Sequence, residues 1–298
     1  AEQALVRIVH LYGTTPEFVL IGGLVPELLC AGSGFLHAGT TDVDVQVNLE
    51  VAAGGANAMR LERALVNAEF VPSSDGIWRW RAADSSTEIR FELLADLDDA
   101  PSETVVRFDT ASALGAVNLR GTGYAVLDPE LTELQATVGG VRLVVNVRVA
   151  SLGGFLLAKI CAARSRREPK DWYDIAFVLR HNAAGGVDGA IAAVRDSVTR
   201  HGQALPATAL VELRANFADE GAQGVRAFVD QYLLDHAGSP ISQTPSSRRR
   251  SSKSITSARR SSDREPNGHR RATCFAQNHL EAEVPQRAIA PCRGHVPG

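Results

Sequence analysis

The chain has 298 residues, of which 45% are hydrophobic and 22% charged, with a net charge of -3. This is ordinary globular composition, enough for one large domain or two average ones. No apolar run approaches a membrane span, the N-terminus lacks a signal peptide's basic start and apolar core, and the four cysteines form no C-x-x-C pair. A membrane protein, a zinc ribbon and a disulfide scaffold are therefore not expected, whereas a reducing, cytoplasmic setting is.

Residues 4–12 (ALVRIVHLY) are apolar at helical spacing, and EFVLIG (17–22) is a short apolar run closed by glycine, which predicts a buried strand. Pro26 suits the first turn of a helix over LVPELLCA (24–31). TDVDVQVNL (41–49) alternates strictly, with Val43, Val45 and Val47 on one face and Asp42, Asp44 and Gln46 on the other. Residues 56–70 predict an amphipathic helix; IWRWR (77–81), TEIRFELLAD (87–96), TVVRF (104–108) and VRLVVNVRV (141–149) predict strands, the last after a Gly139-Gly140 turn.

From Ser151, a candidate N-cap, the character becomes helical. SLGGFLLAKICAARSR is followed by EPKDWYDIAFVLRH (168–181) with Pro169 at its start, and helical patterns recur at 187–200, 207–217 and 222–236. The expected organisation is a mixed α/β domain over 1–150 and an all-helical domain over 151–237. Residues 238–298 have no apolar period, are rich in Ser and Arg, and carry 11 basic against 4 acidic residues, a net of +7; this leaves 20 against 30, a net of -10, for residues 1–237. Such a tail cannot bury enough surface to offset its ordering entropy and is expected to be disordered, as a nucleic-acid-binding tail or as a stretch of no selected structure.

Chemistry concentrates around Asp42 and Asp44. Two carboxylates on one strand face, roughly 6.5–7 Å apart at Cα, repel each other and suit a shared divalent cation. With no His or Cys pattern for a softer metal, Mg²⁺ is favoured. A neighbouring strand could supply a third acid: Glu92 is central in EIRFELL, while Glu88 and Asp96 have the same parity. Gly22-Gly23, between a strand and a helix start, would let a polyphosphate approach the backbone N–H groups. Each feature alone has a plainer reading, as a tight turn, a solvated strand face or a surface acid. Their ordered combination describes two-metal phosphoryl or nucleotidyl transfer.

The blocks LIGG, TTDVDV and RFELL together resemble the nucleotidyltransferase superfamily that includes DNA polymerase β and the aminoglycoside nucleotidyltransferases. VASLGGFLLAKICAARSRREPKDWYDIAFVL (149–179) resembles the corresponding segment of the AbiEii-like toxins of type IV toxin–antitoxin systems, in which a helix lysine precedes a K-D-x-x-D helix. The likeness covers about residues 15–185. It implies a Mg²⁺-dependent enzyme that moves NMP from an NTP to an acceptor, by resemblance a tRNA 3′ end, with a cognate antitoxin as partner. It further implies Asp42, Asp44 and Glu92 as metal ligands, Gly22, Gly23 and Thr40 or Thr41 around the triphosphate, and Lys159 paired with it. Asp174 would stand near that lysine or the acceptor hydroxyl, with Lys170 or Asp171 assisting. The sequence departs from the superfamily in having glycine where serine is common at position 23, and no arginine at His37–Ala38. An antibiotic-type nucleotidyltransferase, or a catalytically silent nucleotide- or partner-binding module, are the alternatives. Lys159 as a surface lysine, Trp172, Tyr173 and Phe177 as core, and Arg164, Arg166 and Arg167 as a solvated cluster are the plainer readings of the helical segment.

Overall fold

Helix α1 (Glu2–Tyr12) turns its Leu5, Val6, Ile8 and Val9 inward and ends where Gly13 takes the left-handed conformation. The computed structural model describes residues 1–52, 54–83, 88–202 and 207–235; the reading of the basic tail from 238 lies outside the described residues. Strand β1 (Val19–Ile21) is wholly buried and runs into a 3-10 turn at 22–24 and the short helix α2 (Val25–Leu29). Strand β2 (Asp42–Gln46) keeps the alternation legible in its sequence, with Val43 and Val45 in the core and Asp42 and Asp44 on the opposite face.

After β2 the chain forms helices α3 (Asn48–Ala52) and α4 (Gly55–Asn67), then strands β3 (Phe70–Ser73), β4 (Gly76–Ala82) and β5 (Arg90–Ala95). The expectation of one helix to residue 70 is corrected here. Glu69 adopts a left-handed φ of 64°, which ends the helix and sends Phe70 into the sheet. Strands β6 (Val105–Arg107) and β7 (Gly115–Asn118) pair with each other, and β7 also pairs with β5. A 3-10 turn at 122–126 precedes the hairpin of β8 (Glu130–Val138) and β9 (Val141–Val149), closed by Gly139 and Gly140, both at positive φ. That two-residue turn requires φ > 0 at both positions, which glycine adopts without steric cost.

The sheet is mixed and runs β3-β4-β5-β2-β1-β9-β8. Strand β2 is antiparallel to β1 and parallel to β5, and β1 is parallel to β9. Helices α1 and α4 pack together, with α1 also lying against β8 and β9, while the 122–126 turn joins β1, β2 and β5 to α5 (Leu152–Arg166). Ser151 caps α5 by accepting a hydrogen bond from Gly154 N–H at 3.2 Å. Pro169 opens α6 (Pro169–His181), whose missing N–H costs nothing in a first turn. Helices α7 (Gly186–His201), α8 (Ala207–Asn216) and α9 (Gln223–Asp235) follow.

Apolar side chains of the sheet, α1, α4, α5 and α6 form one core, including Phe155, Tyr173 and Phe177; a second cluster gathers Leu157, Ile160, Trp172 and Ile175. The aromatic residues of α6 are thus packing residues, and α5 is apolar around much of its circumference because two clusters flank it. Among the described residues no helix is long and apolar enough to cross a membrane.

Candidate active site

The β1–α2 turn, the end of β2, the middle of β5 and the α5–α6 corner line one cleft of about 900 Å³. Gly22 has φ +71°, and a Cβ placed there would lie 1.9 Å from Asp44 Oδ2. At Gly23 a Cβ would sit 2.8 Å from the Thr40 Cβ and 3.1 Å from Lys170 Nζ. Both glycines are therefore demanded by close approach, the first also by its backbone conformation. Gly23 N–H donates to Asp44, so one donor of the turn already faces a carboxylate.

Register decides the third acid. In the parallel β2–β5 pair Asp44 lies opposite Glu92 and Asp42 opposite Arg90. Glu88 instead pairs with Arg90 at 2.8 Å on the surface. Asp96 accepts hydrogen bonds from Gly121 N–H at 2.8 Å and Gly123 N–H at 3.0 Å, holding the loop that forms the cleft's far wall. Of the three acids of like parity, only Glu92 lies beside the aspartates on the cleft wall.

These carboxylates sit in an unfavourable electrostatic setting. Burial is the main reason the Asp44 carboxyl is shifted upward; Asp42 adds to the rise, while Lys159 opposes it. Burial also leads for Glu92, with Asp44 adding to it, so its carboxyl is pushed up to about 7 although Arg79 opposes the shift. Arg79 Nε donates to Glu92 Oε1 at 2.7 Å and its Nη1 reaches Asp75 at 2.8 Å. Asp42 Oδ1 is buried without a hydrogen-bond partner among the described residues. Among those residues no three His, Cys, Asp or Glu side chains are gathered closely enough to form a ready metal cage. Asp42 and Asp44 share one face of β2, while Glu92 on the neighbouring strand is held by Arg79.

Lys159 is a buried lysine of α5, not a surface one. Its Nζ lies 2.9 Å from Asp171 Oδ1 and 2.8 Å from Asp174 Oδ2, both on α6. Burial alone would lower the lysine pKa, but Asp174 and Asp171 outweigh it and hold the ammonium protonated. Burial likewise works to raise Asp174, yet Lys159, the His37 hydrogen bond and Lys170 carry its carboxyl well below the usual range. Lys159, Lys170 and Asp171 line the cleft; Asp174 stands behind the lysine, its side chain fully buried. Arg166 bonds Asp171 at 2.9 Å and lines the rim with Arg164 and Arg167. Thr40 is on the wall, its Oγ1 accepting from Asp42 N–H at 3.1 Å, whereas Thr41 is exposed and outside the lining.

Two residues escaped the sequence reading. Arg79 shares a face with Glu92 through the β4–β5 register, which the alternation of IWRWR hinted at without fixing the partner. His37 bonds Asp174 at 2.9 Å across 137 residues, and no local pattern signals that.

The cleft thus joins glycine-enforced close approach, paired carboxylates on adjacent strands and a protonated buried lysine, the ingredients for handling a metal-bound polyphosphate. No curated protein matches the sequence. The model of a family described as "Nucleotidyl transferase AbiEii toxin, Type IV TA system" matches residues 4–244, well over half the chain and the whole of the cleft, so the chain belongs to the AbiEii nucleotidyltransferase toxin family.

Proposed function

We propose that this chain is a Mg²⁺-dependent toxin that transfers NMP from an NTP to a tRNA 3′ end, releasing pyrophosphate, and is restrained by a cognate antitoxin. The observation that carries the reading is that Asp42, Asp44 and Glu92, on adjacent strands, line one cleft with Lys159, beside a turn where only glycine fits. The donor set suits a hard cation. The oxygens are all carboxylate, Asp42 Oδ1 is buried and unpartnered, and Asp44 and Glu92 are disfavoured as bare anions. Asp42, Asp44 and, once released by Arg79, Glu92 would hold Mg²⁺. When bound, it would offset charge on the phosphates and favour ionisation of the acceptor hydroxyl.

The remaining work falls to the chain. The acceptor oxygen attacks the α-phosphorus, the bond from that phosphorus to the β-phosphate oxygen breaks, and pyrophosphate leaves. Gly22 and Gly23 admit the phosphates close to the backbone, with Thr40 on the adjoining wall. Lys159 presents a fixed positive charge to the β- and γ-phosphates, oriented by Asp171 and Asp174 before substrate arrives. Arg164, Arg166, Arg167 and Lys170 on the rim supply phosphate contacts for an acceptor strand, a local exception to the net -10 of residues 1–237. Incubation with each α-labelled NTP, total tRNA and Mg²⁺ should label tRNA with one or two of the four nucleotides, and EDTA should stop it. Absence of labelling with all four, while an aminoglycoside is labelled instead, would replace the tRNA reading by the antibiotic one.

A further inference from the structure

The loop between α2 and β2 carries no regular structure, yet it delivers Asp42 to the cleft, so something must fix its path. His37 lies in that loop with its side chain wholly buried. Its Nδ1 accepts a hydrogen bond from Gly39 N–H at 3.2 Å. An accepting Nδ1 carries no hydrogen, so the ring hydrogen sits on Nε2, and Nε2 donates to Asp174 Oδ1 at 2.9 Å. The ring stacks on Tyr173 with centroids 5.1 Å apart and stands edge-on to Phe177 at 5.1 Å. Tyr173 in turn accepts a hydrogen bond from Ala38 N–H at 3.1 Å. Three residues on, Thr40 abuts Gly23 and receives the Asp42 N–H.

We propose that His37 is a positioning residue, whose two ring nitrogens set the carboxylate strand and the phosphate-facing lysine in fixed relation to each other. The proposal rests on the nucleotidyltransferase reading and adds to it a residue that touches no substrate. One nitrogen holds the loop leading to Asp42. The other occupies Asp174 Oδ1, which leaves Oδ2 for Lys159 at 2.8 Å. Without a donor at Oδ1, the carboxylate is free to rotate and draw the ammonium toward the loop and away from the cleft. Arg166 and Lys170 cannot substitute, since the first is committed to Asp171 Oδ1 and the second approaches the same Oδ2 at 3.6 Å.

The experiment compares His37→Gln, which keeps an N–H donor at similar reach, with His37→Met, which is of similar length and has none. Both lose the ring stacking, so their difference isolates the donor. Binding of inorganic triphosphate with Mg²⁺ is measured by calorimetry on the full chain, beside NMP transfer, in wild-type and Lys159→Ala backgrounds. The Gln variant should bind within about threefold of wild type and the Met variant at least about tenfold more weakly, an order expected when one oriented charge-assisted contact is lost. In the Lys159→Ala background the difference between the two should vanish, because the donor acts through the lysine. Equal binding by Gln and Met variants, or a difference that persists without Lys159, overturns the role. A Met variant that loses its cooperative melt while the Gln variant keeps it assigns the donor to folding and overturns it too. Wild-type protein that neither binds triphosphate nor transfers nucleotide sinks the functional reading and the positioning role together; wild type that does both while Gln and Met variants behave alike sinks the positioning role alone.

Discussion

Glu92→Gln tests the electrostatics of the cleft without any assumption about substrate. In the folded chain the Glu92 carboxyl is raised to about 7 from an ordinary 4.5. The folded state therefore holds a proton that the unfolded chain releases between those two values, and stability falls as pH rises through that window. At roughly 1.4 kcal/mol per unit, the ionised side chain costs the fold up to about 3 kcal/mol once pH passes 8. The side chain is only 14% exposed, so solvent screens little of this. Glutamine keeps an oxygen for the Arg79 Nε–H and removes the titration. Urea unfolding at pH 5 and pH 8 should show wild type losing roughly 2.5 kcal/mol more than the variant between the two, because part of the loss has already occurred by pH 5. Asp44 is raised as well and pushes Glu92 in the same direction, so relieving one acid eases the other and enlarges the difference. Mg²⁺ at pH 8 should recover stability in wild type and less in the variant. Parallel pH slopes for the two proteins would refute the reasoning, since they would mean Glu92 is solvated or neutralised by Arg79 in full.

Asp42→Asn and Asp44→Asn should each abolish NMP transfer while leaving the melting temperature unchanged or raised, because like charges on one strand face are relieved. Lys159→Ala leaves Asp171 and Asp174 buried without their main cation, and should cost about 3 kcal/mol in chemical denaturation as well as orders of magnitude in transfer. A near-wild-type melt would show that the aspartates are satisfied elsewhere. Gly22→Ala places an L side chain at φ +71° against the Asp44 carboxylate, and should weaken the fold by at least about 1 kcal/mol and remove Mg²⁺-dependent stabilisation. Truncation after Thr244, where the family match ends, should preserve NMP transfer, and any loss of tRNA affinity should shrink as salt rises.

Much of the strand architecture around the site was legible because period-2 alternation encodes it. Asp42 and Asp44 face away from Val43 and Val45 as their spacing required. Parity could not choose among Glu88, Glu92 and Asp96, since all three fall on one face of the strand expected over 87–96; the choice came from the β2–β5 register, a tertiary fact. Strand β8 went unread even though Gly139-Gly140 was recognised as a turn. A two-glycine turn before one strand signals a hairpin and so a partner strand behind it, but ELTELQATV breaks its alternation because its outer face is exposed at the sheet edge. The expected helix runs on to Phe70, the first residue of β3, because the reversal is made by Glu69, a residue type that rarely adopts φ > 0, and the rest of β3 carries no strand signal. The roles of Arg79 and His37 lie in contacts across the fold, and single residues without periodicity leave no local trace.

The site's ion pairs point to how its two proposed ligands depend on each other. Arg79 rests on Glu92 and Lys159 on Asp171 and Asp174, so each sign of charge is partly satisfied by a protein group. A bare NTP entering beside Lys159 would bring further negative charge next to Asp44 and Glu92, both already disfavoured as anions. A bare divalent cation would meet Asp42 and Asp44 but would have to draw Glu92 from Arg79, leaving the guanidinium without that partner. Mg²⁺ and NTP together would supply both signs: the carboxylates would hold the cation, and the released Arg79 and the buried Lys159 would meet the phosphates. On this reading each ligand raises the affinity of the other by the same factor, as linkage requires. If the proposed function holds, the acidic cluster, costly on its own, would favour occupation of the cleft by the metal–nucleotide complex over either component alone.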